Sequence, residues 1–407
     1  MAERPAAPDL PDIEAARELL RDVVIETPVE SSRWLTDLVG APVLLKCENL
    51  QRTGSFKSRG AYVRIARLSD EERGRGVVAA SAGNHAQGVA LAARMTGASA
   101  TVFMPEGAPI PKERATRGYG AEVIFAGRTV ESCLAAANEH AERTGAVLIH
   151  PFDHPDVIAG QGTVGLEILD QVPEVRTVLV PVGGGGLLAG VALAIKARRP
   201  EVTVIGVQAA GAAAYPASLE AGHPVALGSM RTMADGIAVG VPGTLPFAII
   251  QEHVDEIRTV SEESISRALL ALMERAKLVV EPAGAVGVAA LLDDPRSFTG
   301  PVAVLLSGGN IDPLLLTKVI RHGLIADSRY LVLRIVLPDQ PGALAGLTAL
   351  VAESGANVVH VSHGRADPSL TLGDVEVLLQ LETRGRAHAS ALMDLLAQSG
   401  YRVEATK

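Results

Sequence analysis

From about residue 41 the chain alternates short apolar runs with stretches whose apolar residues recur at helical spacing. GVVAAS is followed by NHAQGVALAARMTG, and SATVFMP by PIPKERATRGYG. A strand covered on both faces reads as a continuous apolar run, and a helix lying on it as an apolar stripe. The rhythm therefore predicts βαβ units and a parallel sheet. It continues through AEVIFAG, AVLIHP, TVLVPVG, TVIGVQA and PVAVLLSGG. Glycine-rich or polar turns follow several of these runs, which is where open α/β sheets place their ligands.

Near residue 329 the pattern changes. YLVLRIVLP, GALAGLTALVAESG, ANVVHVSHGR, DVEVLLQLE, AHASALMDLLAQSG and YRVEAT read as β-α-β-β-α-β, the ferredoxin-like order. A chain of 407 residues exceeds what one core organises. We therefore expect a first α/β domain over residues 1–328, with a small lobe at about 50–150 and a large lobe from the remainder, and a second domain over 329–407. No low-complexity segment or long linker separates the two.

Composition narrows the function classes. The 48% apolar content suits helices packed on a buried sheet, and the net charge of −9 with no basic block argues against a nucleic-acid partner. The uncharged stretch VLVPVGGGGLLAGVALAI between Arg176 and Lys196 approaches membrane-spanning length. Its proline and four consecutive glycines predict a buried strand, loop and helix instead, so no membrane partner is expected. Cys47 and Cys133 lack metal-like spacing and read as small buried hydrophobes. The N-terminus lacks the basic-then-apolar pattern of a signal peptide, so a cytoplasmic enzyme is expected.

Four short motifs carry candidate chemistry. In SFKSRG, Lys57 follows Phe56 at the start of a helical stretch; it is either a solvated charge or an amine nucleophile whose pKa a cleft would lower. In SAGNHAQG, Ser81 to His85 open a helix whose N–H groups and Asn84 side chain suit an anion or phenolate, the alternative being an ordinary helix cap. In PVGGGGLL, Gly183, Gly184, Gly185, Gly186 and Leu187 offer consecutive N–H groups at a strand end, as a phosphate cradle does. In LLSGGN, Ser307 places a hydroxyl at another strand end. GGGLLA also fits G-x-G-x-x-A, so a nicotinamide-dependent oxidoreductase is an alternative, although the next strand ends in Gln208 where an acid is usual. No G-x-x-x-x-G-K-[ST] run occurs.

A lysine amine, a phosphate cradle, an amide and a strand-end hydroxyl together match the needs of pyridoxal phosphate. SFKSRG, SAGNHAQG, GGGGL and SGGN, in that order, resemble the threonine/serine dehydratases of the tryptophan-synthase-like (fold type II) pyridoxal enzymes over roughly residues 10–325. The C-terminal unit resembles an ACT regulatory domain. The resemblance implies a two-lobed parallel-sheet catalytic domain with Lys57 as the Schiff-base lysine and base. Phe56, Asn84 at the ring oxygen, Gly183 to Leu187 at the phosphate, Ser307 at the pyridine nitrogen and Glu281 in EPAGA would surround the cofactor. Ser81, Ala82, Gly83, Asn84 and His85 would hold the substrate carboxylate. It implies elimination of water from L-threonine, giving 2-oxobutanoate and ammonia, and L-serine as a second substrate.

Related serine racemases carry a second serine, acting as a base, where this chain has Ala82, so racemisation is expected to be a side reaction. They also use acids after the strand that here ends in Gln208; this stretch reads QAAGAAAYP, and no metal is expected. The C-terminal resemblance places an amino-acid effector at Gly342, Ala343 and Leu344, where PDQPGALAGL opens a helix, and at Asn357. Isoleucine as inhibitor, valine as activator and a homo-oligomer, dimer or tetramer, are the corresponding partners. An amino-acid sensor without covalent cofactor is the remaining alternative.

Overall fold

The computed structural model describes residues 6–364 and 371–405. Arg365 and Thr406, at the ends of two expected strands, lie outside the described residues. The chain divides into two compact units, residues 1–312 and 313–407. The first unit contains two sheets rather than a continuous one. The smaller orders Glu122–Phe125, Ala100–Met104, Val77–Ala80 and Val147–Leu148, all parallel. The larger orders Val29–Ser31, Val43–Lys46, Val302–Leu305, Thr177–Pro181, Thr203–Ala209 and Glu256–Val260. It is parallel except for the antiparallel edge strand Val29–Ser31.

The helix Lys57–Ala66 joins the two halves of this unit. Ala61 and Ile65, one turn apart, pack into the core of the smaller sheet, while Val63 packs into the core of the larger. A helix with two apolar faces is what a seam between two cores requires. The stretch between Arg176 and Lys196 is a strand, loop and helix as expected, with Val178–Val182 and Leu187–Ile195 buried. Cys47 and Cys133 are buried free thiols. Among the described residues no helix is long and apolar enough to cross a membrane.

The second unit begins with helix Pro313–Ala326, which compactness groups with the C-terminal residues. There follow Tyr330–Pro338, helix Ala343–Ser354, Asn357–Gly364, Asp374–Glu382, helix Arg386–Gln398 and Arg402–Ala405. Its antiparallel sheet places Tyr330–Pro338 between Asp374–Glu382 and Arg402–Ala405, with Asn357–Gly364 at the edge. That is the βαββαβ order read from the sequence.

Candidate active site

Lys57 is aimed by a strained turn on one side and a strand end on the other. Thr53 and Gly54 both adopt left-handed backbone, at φ +65 and +69, which throws the chain back toward the end of Val302–Leu305. There Ser55 bridges Gly308, and the Phe56 N–H donates to the Ser307 carbonyl at 3.2 Å. Asn310 braces the turn: its Nδ2 donates to the Thr53 carbonyl at 2.7 Å and to Asn84 Oδ1 at 2.9 Å. Helix formation begins at Lys57, whose Nζ donates to the Pro151 carbonyl at 2.9 Å and lies 5.2 Å from the Phe56 ring centroid. Although part of the residue stays exposed, burial of the ammonium lowers its pKa to about 8, against a smaller opposing pull from Glu281.

Asn84 is the first residue of helix Asn84–Thr96, and Ser81 Oγ accepts from the Gly83 N–H at 3.1 Å. Its amide therefore points across the cleft and donates to Glu281 Oε1 at 2.7 Å. Glu281 sits at the N-cap of helix Pro282–Asp293 but makes no capping bond with its side chain. Burial first, then the charge of Asp235, raises this carboxyl to about 7, with Lys112, Asn84 and Lys57 pulling the other way. Gly308 lies against it so closely that a Cβ there would collide with Glu281 Oε1. Ser307, 3% exposed, stands one residue earlier, just past the end of strand Val302–Leu305.

His85 is committed. Its Nε2 meets the Ile149 carbonyl at 2.8 Å, and because a carbonyl only accepts, Nε2 carries the proton. Burial, then the Lys57 charge, holds its pKa near about 3, so the ring is neutral at working pH. Its imidazole offers a carboxylate no second donor; its backbone N–H in the first helical turn remains. Ala82 and Gly83 complete the same turn between strand and helix.

The glycine loop passes from strand Thr177–Pro181 into helix Gly186–Arg198. A Cβ at Gly183 would lie 2.9 Å from Ile237 Cα, and one at Gly186 2.8 Å from the Phe152 carbonyl. At Gly184 it would strike the Phe152 ring, and at Gly185, where φ is +104, the Tyr215 hydroxyl. Only glycine fits these four positions. The first intrahelical bond runs from Ala189 N–H to Gly185 O at 2.8 Å, which leaves the N–H groups of Gly186, Leu187 and Leu188 without an intrahelical acceptor. A side-chain-free cradle of helix N–H groups fits a phosphate, and the partly buried amine of Lys57 fits an aldehyde.

One segment escaped the sequence reading. His150–His154, HPFDH, supplies the carbonyl that holds Lys57 and the ring that walls the glycine loop. It also supplies the Asp153 carboxylate that caps Thr244 and Leu245 N–H at 2.9 and 3.0 Å. Asn310, Tyr215 and Asp235 were missed as well. A backbone carbonyl leaves no residue signature; the SGGN motif, by contrast, did contain Asn310.

In the C-terminal unit Gly342 has φ +93 and caps helix Ala343–Ser354. The Ala343 N–H is donated to the Gln340 carbonyl at 3.2 Å and the first intrahelical bond runs from Gly346 N–H to Gly342 O at 2.9 Å, which leaves the N–H groups of Leu344 and Ala345 without an intrahelical acceptor. Asn357 Nδ2 lies 3.4 Å from Glu382 Oε2.

This fold and site suit a two-lobed α/β enzyme whose cofactor carries a phosphate and an aldehyde. The chain belongs to the pyridoxal-phosphate dependent enzymes, whose family matches residues 20–308, and residues 331–393 match the ACT domain. It is 48% identical over 394 residues to an L-threonine ammonia-lyase of Thermotoga maritima, covering 97% of this chain and 98% of that protein. Among solved structures it resembles a threonine deaminase of T.th., with TM-score 0.72 and 46% identity over 75% of this chain and 99% of that one. It also resembles maize serine racemase, with TM-score 0.74 and 38% identity over 79% and 99%.

Proposed function

We propose that this chain is an L-threonine ammonia-lyase that converts L-threonine to 2-oxobutanoate and ammonia, accepts L-serine to give pyruvate, and is regulated by amino acids through its C-terminal unit. The observation that carries the reading is the Lys57 amine bound to the Pro151 carbonyl, next to the Phe152 ring that packs on the glycine loop. Similarity over nearly the full length to the Thermotoga maritima enzyme supports the choice of substrate.

Bound pyridoxal phosphate supplies an electron-accepting ring that makes an amino acid's α-proton acidic. Gly183 to Leu187 would hold its phosphate, and Asn84 and Ser307 would hold its ring. With its pKa lowered to about 8, Lys57 has an appreciable neutral fraction near pH 7, as an amine nucleophile and base needs. As a free amine, Lys57 would take the α-proton. Ser81, Gly83, Asn84 and the His85 N–H orient the substrate carboxylate. The α-proton and β-hydroxyl depart as water; hydrolysis of the free enamine consumes one water and releases ammonia. Ser307 is neutral, which leaves the ring a shallower electron sink than a facing carboxylate would and suits rapid elimination.

Ala82 provides no second base, so D-amino acid formation should be slow. The test is product analysis of the loaded enzyme with L-threonine, together with borohydride reduction and peptide mapping. Ammonia, 2-oxobutanoate and cofactor fixed on Lys57 are expected. Racemisation as fast as elimination would favour the serine racemase reading, and tight nicotinamide binding by a colourless protein would favour an oxidoreductase.

The proposed pathway role is the first step toward isoleucine, or threonine catabolism, in the cytoplasm, by a homo-oligomer. Isoleucine as inhibitor and valine as opposing activator would bind at Gly342 to Leu344 and Asn357. Such a ligand changes activity only by preferring one of two arrangements of the protein. A full-length enzyme indifferent to every branched-chain amino acid would remove the regulatory part and leave the catalytic part standing.

A further inference from the structure

Arg59 lies two residues beyond Lys57 and is 0% exposed. All five of its donors are used. Nε and Nη2 donate to Glu48 at 2.9 and 2.8 Å; Nη1 donates to Thr163 Oγ1 at 3.1 Å and Glu167 Oε1 at 2.6 Å; Nη2 also reaches Glu167 Oε2 at 2.9 Å. Lys46, equally buried, spends its three donors on the Thr27 carbonyl, Glu167 and Gln171 at 2.8, 2.6 and 2.8 Å. Thr27 Oγ1 completes Glu48 at 2.6 Å. Two cations and two anions thus form a neutral, closed cluster. Burial alone would raise the Glu48 carboxyl, but Arg59 and then Lys46 hold it below the usual carboxylate range.

The placement of this cluster matters more than its charge. Thr163 and Glu167 belong to helix Pro155–Gln171, which begins directly after the segment whose Pro151 carbonyl receives the Lys57 amine. Arg59 belongs to the helix that Lys57 opens. One end of the Lys57–Pro151 bond therefore stands on a helix that Arg59 ties, and the other lies in the segment that leads directly into the second. Where those helices touch, the backbones approach closely and the other polar bonds lie nearer the surface or are longer: a Cβ on Gly160 would lie 2.7 Å from Gly60 Cα, Gln161 Oε1 accepts from the Gly60 N–H at 3.3 Å, and Arg64 and Arg67 reach Asp156 at 3.4 and 2.7 Å. Gly88 likewise presses on the Lys57 backbone, its would-be Cβ 3.0 Å from Lys57 C and O. Glycine contacts let backbones approach but fix no register; a planar guanidinium with five directed bonds does. Apolar residues would stabilise such a contact as well or better than buried ions, so stability alone does not call for this cluster.

We infer that Arg59 is the positioning residue of Lys57, setting through Thr163 and Glu167 the helix register that aims the amine. The inference rests on Lys57 being the cofactor lysine, which borohydride trapping on the wild-type enzyme tests by itself. The variants then test Arg59. Thr163→Val removes one acceptor while keeping the side chain's shape, and Thr163→Ser returns the hydroxyl. Arg59→Lys keeps the charge and loses the fork.

A displacement of about 1 Å at a reacting group costs on the order of a hundredfold in rate. Arg59→Lys should therefore lower kcat by about that factor, and Thr163→Val by about tenfold, with KM within about twofold. Capture of pyridoxal phosphate by each apoenzyme, followed by absorbance, should slow with kcat, and Thr163→Ser should recover both. If Arg59→Lys yields no soluble protein, the Thr163 pair decides. Folded variants with lowered Tm but wild-type kcat and capture rate would overturn the inference, because a cluster that only stabilises predicts that outcome.

Discussion

The interiors of the two units differ in kind. In residues 313–407 the core is aliphatic: Leu333, Ile335, Leu337, Leu347, Val351, Val377, Leu379, Leu381, Leu392 and Leu396 pack together, and among the described residues Thr383 is the buried polar residue of that unit. In residues 1–312 the interior holds Lys46, Glu48, Arg59, His85, Gln161, Gln208 and Glu281, each 6% exposed or less. Buried polar groups are costly unless bonded, and these have partners. An interior that only folds can be written in alternation. One that also performs chemistry must place its polar groups individually.

The largest effect should come from the group with least freedom to be replaced. Lys57→Ala removes the anchor and the base together, and should lower turnover of L-threonine by about 10⁴-fold or more and abolish the bound cofactor's visible band. Retention of substantial turnover would separate the buried amine from the chemistry. The pH dependence of the wild type sharpens the same point. Since the Lys57 pKa is depressed from 10.5 to about 8, the neutral amine predominates above about 8. Capture of pyridoxal phosphate by the apoenzyme should then rise about tenfold per unit up to that pH and level off, not continue toward 10.5.

Glu281 tests whether a buried charge costs stability here. Its folded pKa, about 7, lies above the ordinary 4.5, so the protonated form is preferred on folding. Its contribution is fully present below pH 4.5 and is lost as pH rises through 7. Glu281→Gln keeps an acceptor for Asn84 but cannot ionise. The apoenzyme variant should be more stable than wild type by up to about 3 kcal/mol at pH 8 and equal to it at pH 4. Denaturant titrations showing the same pH slope for both proteins would refute this.

A smaller effect comes from comparing two left-handed glycines. Gly185 and Gly342 have φ +104 and +93, so alanine strains both backbones, at a cost of about 1–3 kcal/mol. A Cβ at Gly185 also meets Tyr215, whereas nothing lies within 4 Å of one at Gly342. Gly185→Ala should weaken cofactor affinity about ten- to a hundredfold; Gly342→Ala should leave it unchanged. Equal titration curves for both variants would deny the glycine loop its role.

The same contrast explains what could be read in advance. Tyr330–Pro338 and Asp374–Glu382 coincide with the runs YLVLRIVLP and DVEVLLQLE, because alternate residues point into one aliphatic core. Thr177–Pro181 and Val302–Leu305 were legible as continuous apolar runs. Val29–Ser31 and Glu256–Val260 were not: VES is three residues long, and EIRTV carries two charges on an edge strand. In the site, Lys57, Asn84, Ser307 and the glycines stood out because their residue types imply chemistry at strand ends. Pro151 acts through its carbonyl and Phe152 through its shape, and neither property marks a sequence. Arg59 was visible in SFKSRG, but its partners Glu48, Thr163 and Glu167 are 11 to 108 residues away.

The smallest effect on turnover should follow a large disruption in the aliphatic core. Leu379 is 0% exposed in Asp374–Glu382, paired with Leu333 on one neighbour and Val361 on the other. Leu379→Ala deletes its side chain from the middle of the sheet and should cost that unit about 2–5 kcal/mol. Residues 1–312 hold the complete set of groups proposed for catalysis, Lys57 to Ser307, within one compact unit. Turnover of L-threonine at saturating substrate and temperatures well below unfolding should therefore stay within about twofold of wild type. The proposed response to isoleucine should weaken instead, since its binding turn at Gly342 to Leu344 packs on the disturbed core through Ala343 and Leu344. Calorimetry should show an earlier transition while the cofactor's absorbance is kept. If turnover fell in step with the stability of the C-terminal unit, chemistry would depend on that aliphatic core, and the division between an interior for folding and an interior for catalysis would fail.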